Sequence, residues 1–460
     1  MRDYRRPKTE DRRPSSVPRH PCSCEDANAH IIRSMSLARE AIQELANAHK
    51  RAFKVVVSHP HGNANSYHTA LAFSETRWLD CFETGILDVE ASSVARRLTP
   101  DIERRVRNRS FEGIPAAKKQ SHRIFETLAR AGRTVKPGGL TSQINWYDVL
   151  FCGHDFQLSR EIGDQTEAVY AYEDAAKRTF ESAKRIGATS IYELPLGYYR
   201  AVAREINRGR ELWPGLHRSP YSEPRWKQVR KDAELQLADV IVVASEWARE
   251  SLSLSETALN KPIVLVPYGT PVGEISARSH PPAGPFTVLF AGQAGLRKGV
   301  PHLIAAWEKL KLGDSRLLLA GSMNLPRAYV NEHAASFKYL GALARAELLE
   351  VMAGVDLFVF PSLAEGFGLV IGEAMASGVP VLTTMNTGGP HLITEGSEGW
   401  CVPAHEIEPL IERLEWAHRN RDQLYAMGGR ARQRAEQWAW ADYRRKLIEE
   451  LSPYLDRNVR

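Results

Sequence analysis

Short apolar runs alternate with helical patterns along most of this 460-residue chain, and this alternation limits the possible folds more than any other feature. In the first half of the chain, the runs cover residues 53–57, 148–152, 168–172, 190–194 and 240–243. In the second half, they cover residues 286–290, 316–319, 337–340, 357–360, 379–383 and 400–402. Apolar runs of this length, with helices between them, are typical of parallel strands covered on both faces. We therefore predict an α/β fold with two doubly wound lobes and a ligand site at the carboxyl ends of their strands.

The pattern also divides the chain into segments. A stretch rich in Gly and Pro separates the two sets of runs and predicts a linker between the lobes. The N-terminal residues are charged and rich in Pro, which is typical of disorder. We expect a disordered basic leader at 1–25, a helix at 26–50, a first lobe at 51–268, a linker at 269–285, a second lobe at 286–437 and a last helix at 438–460.

Composition excludes several classes of protein. No apolar run approaches the ~18–20 residues that a membrane-spanning helix needs. The five Cys are scattered and odd in number, which argues against a disulfide framework and fits a reducing compartment. The N-terminus lacks the apolar core of a secretory signal. We therefore expect a cytoplasmic protein.

Positive charge is concentrated in residues 96–136, which hold twelve Lys or Arg against four acidic residues. One interpretation is a solvated helical face. The other is a surface for an anionic partner, since each Lys or Arg near an anionic membrane leaflet contributes ~1 kcal/mol of binding. No nucleic-acid motif accompanies the charge, so we do not expect nucleic acid as a partner. An anionic membrane surface, with the protein peripheral at the inner face, remains the functional hypothesis.

The segment VDLFVFPSLAEGFGLVIGEAMASGVPV predicts a buried strand, a glycine-containing loop and a helix. Glycines at 366 and 368 allow the backbone to approach a ligand closely, and the helix N-terminus favours a phosphate. Glu365 lies in the loop and Glu373 on the helix, where neutral sugar hydroxyls would suit them better than phosphate. Spacing alone leaves open an ordinary strand–turn–helix corner with one solvent-exposed Glu and one Glu that caps the helix.

Other predicted strand ends carry further candidates for substrate contact. After the strand at 286–290, a short loop holds Gly292, Arg297 and Lys298, and two cations beside a helix N-terminus suggest a nearby anion. Other loops at predicted carboxyl ends hold the remaining candidates, which are Gly62, Asn63, His154, Thr387 and Gly388. His154 belongs to the sequence GHDFQ, which follows the predicted strand at 148–152.

We predict no metal site and no cofactor. His59, His61 and His68 share one polar loop, but three His in such a loop are more often not a site. No two Asp are separated by a single residue, so the Asp-x-Asp pair of metal-dependent diphosphate sites is missing.

The second half of the chain resembles the retaining glycosyltransferases of family 4, the group 1 glycosyl transferases, which have the GT-B fold of two Rossmann-like domains facing across a cleft. The resemblance rests on EGFGLVIGEAMASG, joined in the family's order by AGQAGLRKG, VDLFVFPS and TGG. It covers roughly residues 286–447, and the first half matches weakly. Gly372 departs from the family, which usually has a larger apolar residue there, and His391 stands where the family tends to have Glu.

The resemblance implies a nucleotide-diphosphate sugar donor, bound mainly by the second lobe. Carried over, Arg297 and Lys298 would neutralise the diphosphate, and the backbone from Gly366 through Phe367 and Gly368 to Leu369 would cradle it. Glu365 would accept hydrogen bonds from the donor sugar, and Glu373 from the ribose.

In the first lobe, the same resemblance implies that Gly62 lets its loop reach the diphosphate. It also implies that His154 lies near the anomeric carbon, as a catalytic residue. The last helix resembles the family helix that crosses back to the first lobe.

We therefore predict a metal-independent hexosyltransferase-type enzyme that retains anomeric configuration. Its acceptor would be a saccharide or a lipid-linked saccharide in polysaccharide or glycoconjugate synthesis. Three alternatives remain open: a nucleotide-sugar epimerase, a phosphorylase on the same scaffold, and a non-catalytic protein that binds nucleotide sugars.

Overall fold

A computed structural model describes residues 39–44, 47, 52–85, 113–122, 124–125, 128, 145–216 and 221–456. The predicted leader at 1–25 lies outside these residues. So does most of the basic stretch at 96–136, and with it the predicted membrane-binding surface. Of the predicted N-terminal helix, residues 39–44 are described and helical. Within the described residues, no helix combines the length and the apolar character that crossing a membrane requires.

The strands of the described chain form two parallel sheets, as predicted. The first sheet has the order β3-β2-β1-β4-β5-β6-β7 and the second has the order β10-β9-β8-β11-β12-β13. In each sheet the strand order reverses beside its first strand, which is the doubly wound arrangement. The strands are β1 Val55–His59, β2 Leu79–Thr84, β3 Lys119–Ser121, β4 Ala168–Tyr172, β5 Thr189–Leu194, β6 Val240–Val243, β7 Ile263–Leu265, β8 Phe286–Ala291, β9 Ser315–Ala320, β10 Lys338–Gly341, β11 Leu357–Phe360, β12 Val381–Thr384 and β13 Gly399–Val402.

Helices cover both faces of each sheet. In the first lobe they are α1 Ala64–Glu75, α2 Trp146–Leu158, α3 Lys177–Arg185, α4 Tyr199–Leu212, α5 Arg225–Leu237 and α6 Glu246–Ser251. In the second lobe and beyond it they are α7 Val300–Leu310, α8 Arg327–Glu332, α9 Arg345–Ala353, α10 Leu369–Ala376, α11 Gly389–Leu392, α12 Glu408–Arg419, α13 Arg421–Glu436 and α14 Trp440–Leu455.

One predicted strand is wrong. Residues 148–152 lie in the middle of helix α2. The side chain of Asn145 accepts a hydrogen bond from the backbone N–H of Tyr147 and starts the helix. Burial then recurs at Leu150, His154 and Leu158, which is the spacing of one helical face. A short apolar run cannot distinguish a buried strand from a buried helix by itself.

The lobes touch along helix α4 of the first lobe. Gly209 on α4 packs against Leu363 and Leu296, both from the second lobe. Nearby, Nε2 of His405 lies 2.9 Å from Oε2 of Glu205, and both side chains are largely buried. The lobes therefore meet through apolar contacts and a buried hydrogen bond between His405 and Glu205.

Helix α14 follows the second lobe in sequence but packs against α1 of the first lobe. The hydroxyl of Tyr443 lies 2.9 Å from Oγ1 of Thr69, and Nε of Arg444 lies 2.8 Å from Oε2 of Glu75. The ring of Trp440 stacks on His68 at a centroid distance of 4.1 Å. Since Arg444 is only 3% exposed, its charge depends on Glu75 for compensation.

A buried carboxyl group, that of Glu193 on β5, lies where the lobes and α14 meet. It accepts hydrogen bonds from the hydroxyls of Tyr170, on β4, and Tyr268, which precedes the second lobe. The ring of Tyr268 also contacts Tyr443 on α14. Burial raises the pKa of Glu193 to about 7, although the hydrogen bonds from the tyrosines oppose this shift.

Replacement of Arg444 with Ala should destabilise the protein by about 3 kcal/mol, because Glu75 would lose its buried partner. The measurement is urea denaturation followed by tryptophan fluorescence. Arg445→Ala is the matched control: Arg445 pairs with Glu449 on the same helix, but both are about one third exposed. Loss of the Arg445–Glu449 pair should lower the free energy of unfolding by about 0.5 kcal/mol or less. Equal effects of the two substitutions would contradict the assigned role of Arg444.

Glu193→Gln should remove a pH dependence of stability. The folded state keeps the Glu193 proton up to a pKa of about 7, whereas the unfolded state releases it near 4.5. The stabilisation from this proton is therefore complete below the unfolded value and is lost as the pH rises through the folded value. Between about pH 5 and about pH 7.5, the wild type should lose on the order of 2 to 3 kcal/mol relative to Glu193→Gln in urea denaturation. Parallel pH profiles would show that Glu193 does not titrate in this range.

Candidate active site

A cavity of about 420 Å³ lies between the lobes, at the carboxyl ends of their strands. The second lobe supplies most of its wall. The first lobe supplies Asn65 and Pro195, and Tyr268 lies at the junction. Seven of the predicted site residues line this cavity: Gly292, Lys298, Glu365, Phe367, Gly368, Leu369 and Glu373.

The corner between β11 and α10 forms the floor of the cavity. Gly368 caps helix α10 with φ of 85°, a conformation that favours glycine. Leu369 and Val370, the first residues of the helix, face the cavity. Phe367 is buried and its ring meets Tyr268 edge to face at 5.4 Å. The backbone N–H groups and the positive end of α10 therefore point to the space where an anion would fit.

The carboxylate of Glu365 pairs with both cations of the loop after β8, Arg297 and Lys298. The side chain of Glu365 contacts Nζ of Lys298 through Oε2, and Nη1 of Arg297 lies 3.3 Å from the same oxygen. Nη1 of Arg297 also donates to the carbonyl of Ala364 at 2.8 Å. Lys298 further lies over the ring of Phe360, at 4.7 Å from its centroid.

Burial and the ion pairs between Glu365 and its cations have opposite effects on the pKa values of Lys298 and Glu365. Burial lowers the pKa of Lys298, and Arg297 lowers it further, while Glu365 opposes both. Burial favours the neutral form of Glu365, but Lys298 and Arg297 outweigh it and lower the pKa of this carboxyl group. Glu365 is therefore ionised at neutral pH, and it neutralises part of the cationic charge in the cavity.

Glu373, the second predicted carboxylate, lies one turn along α10. Nε of Arg345 is 3.4 Å from its Oε1, and Arg345 also pairs with Glu274 at 2.6 Å. Burial raises the pKa of Glu373 although Arg345 opposes the shift. Its neighbour Gly372 explains one departure from the family pattern: a Cβ there would lie 2.8 Å from Cγ2 of Thr270, so the linker leaves no space for a side chain.

Several predicted residues support the cavity without lining it. Thr387 is buried and donates to the carbonyl of Thr384 at 2.8 Å. Gly388 packs against the ring of Phe367, where a Cβ would lie 2.3 Å from the nearest ring atom. Gly366 approaches the carbonyl of Pro195 from the opposite lobe. These residues hold the loop between β11 and α10 in place through contacts that lie outside the cavity.

The first-lobe candidates lie differently from the prediction. Asn63 caps α1, where its side chain accepts a hydrogen bond from the N–H of Ser66 at 2.9 Å. Gly62 turns the loop with φ of 56° and bonds back to His59. Neither lines the cavity, but Asn65, two residues further along, does. That loop is rich in polar residues, which was the only sequence signal for Asn65.

His154 is also absent from the cavity wall. It lies on α2, is 1% exposed, and its Nε2 is 2.9 Å from Oγ of Ser58 on β1. Its neighbour Asp155 accepts hydrogen bonds from the first N–H groups of α3, those of Arg178 and Thr179. This placement differs from the predicted loop because residues 148–152 are helical, and the catalytic role of His154 stays a prediction.

Comparison with known proteins agrees with this geometry. Residues 271–434 match the family of glycosyl transferases group 1. The chain is 28% identical over 170 residues to sulfoquinovosyl transferase SQD2 of Arabidopsis thaliana, which is 35% of this chain and 32% of that protein. It is 32% identical over 161 residues to a GDP-mannose-dependent monoacylated alpha-(1-6)-phosphatidylinositol monomannoside mannosyltransferase of Corynebacterium glutamicum, which is 32% of this chain and 40% of that one. The chain thus matches between a third and two fifths of the length of these relatives.

The whole fold has counterparts among solved structures. Anabaena HepE, solved in complex with UDP-glucose, superimposes with a TM-score of 0.57 at 16% identity, over 87% of this chain and 99% of that one. Identity this low establishes the fold alone. The chain therefore has the GT-B fold, and its residues 271–434 match the model of the group 1 glycosyl transferases.

Proposed function

We propose that this protein transfers a sugar from a nucleotide-diphosphate sugar to an acceptor, with retention of anomeric configuration. The arrangement of Glu365, Lys298 and Arg297 beside the N-terminus of α10 carries the proposal. These groups bring positive charge and a hydrogen-bond acceptor to one wall of the inter-lobe cavity. A diphosphate and the hydroxyls of its sugar need both.

The proposed mechanism starts with an exchange of partners. Before the donor binds, Lys298 and Arg297 are paired with Glu365. When the diphosphate arrives, it takes over the two cations together with the N–H groups of Leu369 and Val370. The released carboxylate then accepts hydrogen bonds from the sugar, and Glu373 accepts them from the ribose.

Cleavage of the bond to the sugar leaves additional negative charge on the diphosphate. Lys298, Arg297 and the helix end are already in place to stabilise that charge, and such preorganised groups supply a large part of an enzymatic rate. The cations supply the positive charge that a metal supplies in other transferases, which supports a metal-independent reaction. We place the acceptor on the first-lobe side of the cavity, near Asn65.

For the acceptor, we propose a saccharide or a lipid-linked saccharide in polysaccharide or glycoconjugate synthesis. The basic stretch at 96–136 supports an acceptor at an anionic membrane surface, with the protein peripheral at the cytoplasmic face. The Corynebacterium relative bears a name that specifies a phosphatidylinositol-linked acceptor.

Binding of the donor should be visible as thermal stabilisation. Nucleoside diphosphates and their sugars should raise the melting temperature of the wild type, since a ligand at 100 times its Kd adds about 2.7 kcal/mol. Lys298→Met should abolish most of this shift, because the diphosphate loses a buried cation. Lys309→Met is the matched control: Lys309 pairs with Glu408 at the surface of the same lobe, and both are more than half exposed.

The ligand that shifts the wild type also identifies the base. If no donor or diphosphate shifts it, or if Lys298→Met responds like the wild type, the assigned donor site is wrong. Turnover without an acceptor would favour the epimerase, and binding without turnover would favour the non-catalytic alternative. Proton NMR of the first product tests retention, because it gives the anomeric configuration directly.

Catalysis should also depend on close approach of the lobes at Gly366. A Cβ on Gly366 would lie 1.9 Å from the carbonyl oxygen of Pro195, so Gly366→Ala must push the lobes apart or shift the corner loop. Displacements of about 1 Å cost on the order of 100-fold in rate, and we expect such a fall in kcat/KM. Gly313→Ala is the control in the same lobe, since a Cβ there has no neighbour within 4 Å. Full activity of Gly366→Ala would show that the two lobes need not close this tightly.

A further inference from the structure

A second group of chemically reactive side chains lies in the first lobe, away from the cavity. Glu83 at the end of β2, His122 just after β3, and Glu161 in the turn after α2 bring one ligand atom each to within 4.8 Å of one another. Glu83 and His122 are 2% and 5% exposed, while Glu161 is 41% exposed. None of the three lines the inter-lobe cavity.

Two buried atoms of this group lie at ion-pair distance from each other. Oε2 of Glu83 and Nε2 of His122 are 2.7 Å apart, close enough to pair when His122 is protonated, but within the described residues their alignment is not that of a hydrogen bond. Buried polar atoms are rarely left in this state, because an unmade hydrogen bond is costly there. Two lone pairs that converge on one point are, however, the arrangement that a bound cation requires.

The neighbouring thiol fits the same interpretation. Sγ of Cys81, on the same strand as Glu83, donates to Oε1 of Glu83 at 3.1 Å. This contact occupies one oxygen of the carboxylate and turns the other toward His122. Hydrogen bonds to the outer oxygen of a ligating carboxylate commonly orient it toward its metal in this way.

We propose that Glu83, His122 and Glu161 form a structural site for a divalent transition-metal ion, with Zn²⁺ as the best-suited ion. One imidazole nitrogen and two carboxylate oxygens are common Zn²⁺ ligands, at about 2.0–2.2 Å from the ion. Ligands at that distance in a tetrahedral site are about 3.4 Å apart. The 2.7 Å and 3.5 Å separations from Nε2 of His122 lie on either side of this value, so small side-chain movements suffice.

Charge supports the assignment. With a neutral imidazole, two carboxylates carry two negative charges into a largely buried site, and such charges need compensation. Within the described residues, Glu83 and Glu161 lie at ion-pair distance from His122, which would be neutral as a metal ligand, and no Lys or Arg pairs with either carboxylate. A divalent ion would cancel the charge of both carboxylates. The exposed side of Glu161 leaves room for a water as fourth ligand and for entry of the ion.

The role of the site follows from its place in the sheet. β3 is a three-residue strand at the edge of the first sheet, where few backbone hydrogen bonds hold it. The ion would tie the ends of β2 and β3 to the turn after α2. It would stabilise the first lobe without taking part in the proposed transfer, so the two proposals can fail separately.

The test uses the full chain after removal of metal with EDTA and dialysis. Titration with ZnCl₂, followed by calorimetry and by the melting temperature, should show one ion bound per chain and a rise in melting temperature. Binding of Co²⁺ in place of Zn²⁺ should give the visible absorption of a four-coordinate site. Glu161→Gln should weaken Zn²⁺ binding by at least about 10-fold, since even the loss of an outer-shell partner costs that much.

The variants separate this site from binding elsewhere. Glu161 is partly exposed, so Glu161→Gln should fold even where Glu83→Gln does not. Asp164→Asn, an exposed change three residues away, is the matched control and should bind Zn²⁺ like the wild type. The proposal is overturned if the wild type binds no Zn²⁺, or if Glu161→Gln binds it as tightly as Asp164→Asn. In that case Glu83 and His122 form an ion pair only.

Discussion

In both sheets the described strands pair in parallel, and this pairing decides where polar chemistry can occur. Parallel strands need crossover helices, which cover both faces of a sheet and leave it apolar. The strands β4, β6 and β11 are buried along their whole length. The polar side chains and open backbone groups that a ligand can reach are therefore found mainly at the strand ends. Two such sheets with their carboxyl ends facing each other create a polar cleft between two apolar bodies.

Within that cleft, a single carboxylate connects two loops of the second lobe. Glu365 follows β11, while Lys298 and Arg297 follow β8, the adjacent strand. The pairing holds both loops in place before any ligand is present, and it avoids leaving buried cations uncompensated. The same pairing sets a cost for donor binding, because the diphosphate must replace Glu365 at both cations. Affinity then depends on how well the sugar compensates the released carboxylate.

Much of the second lobe could be predicted from the sequence, because short apolar runs and glycine-containing turns are local signals. The strand at 357–360 begins and ends as predicted, as does the strand at 240–243 in the first lobe, and a helix follows the glycine-containing loop as predicted. Strand β2 and the edge strands β3 and β7 were missed, since β2 reads LDCFET and the other two have three residues each. The pairing of Glu365 with Lys298, and the approach of Asn65 and Tyr268 to the cavity, arise from tertiary packing. Spacing along the chain contains no information on such contacts.

The return of α14 to the first lobe affects how the protein is made. Tyr443 and Arg444 complete the contacts of α1, yet almost the whole second lobe is synthesised before them. Domains usually fold in order as they leave the ribosome. Here the first lobe must wait, with one side of α1 uncovered, until the last turns of the chain emerge. During that interval α1 lacks the partners that Tyr443 and Arg444 supply, so truncation near the C-terminus would damage the lobe farthest from it in sequence.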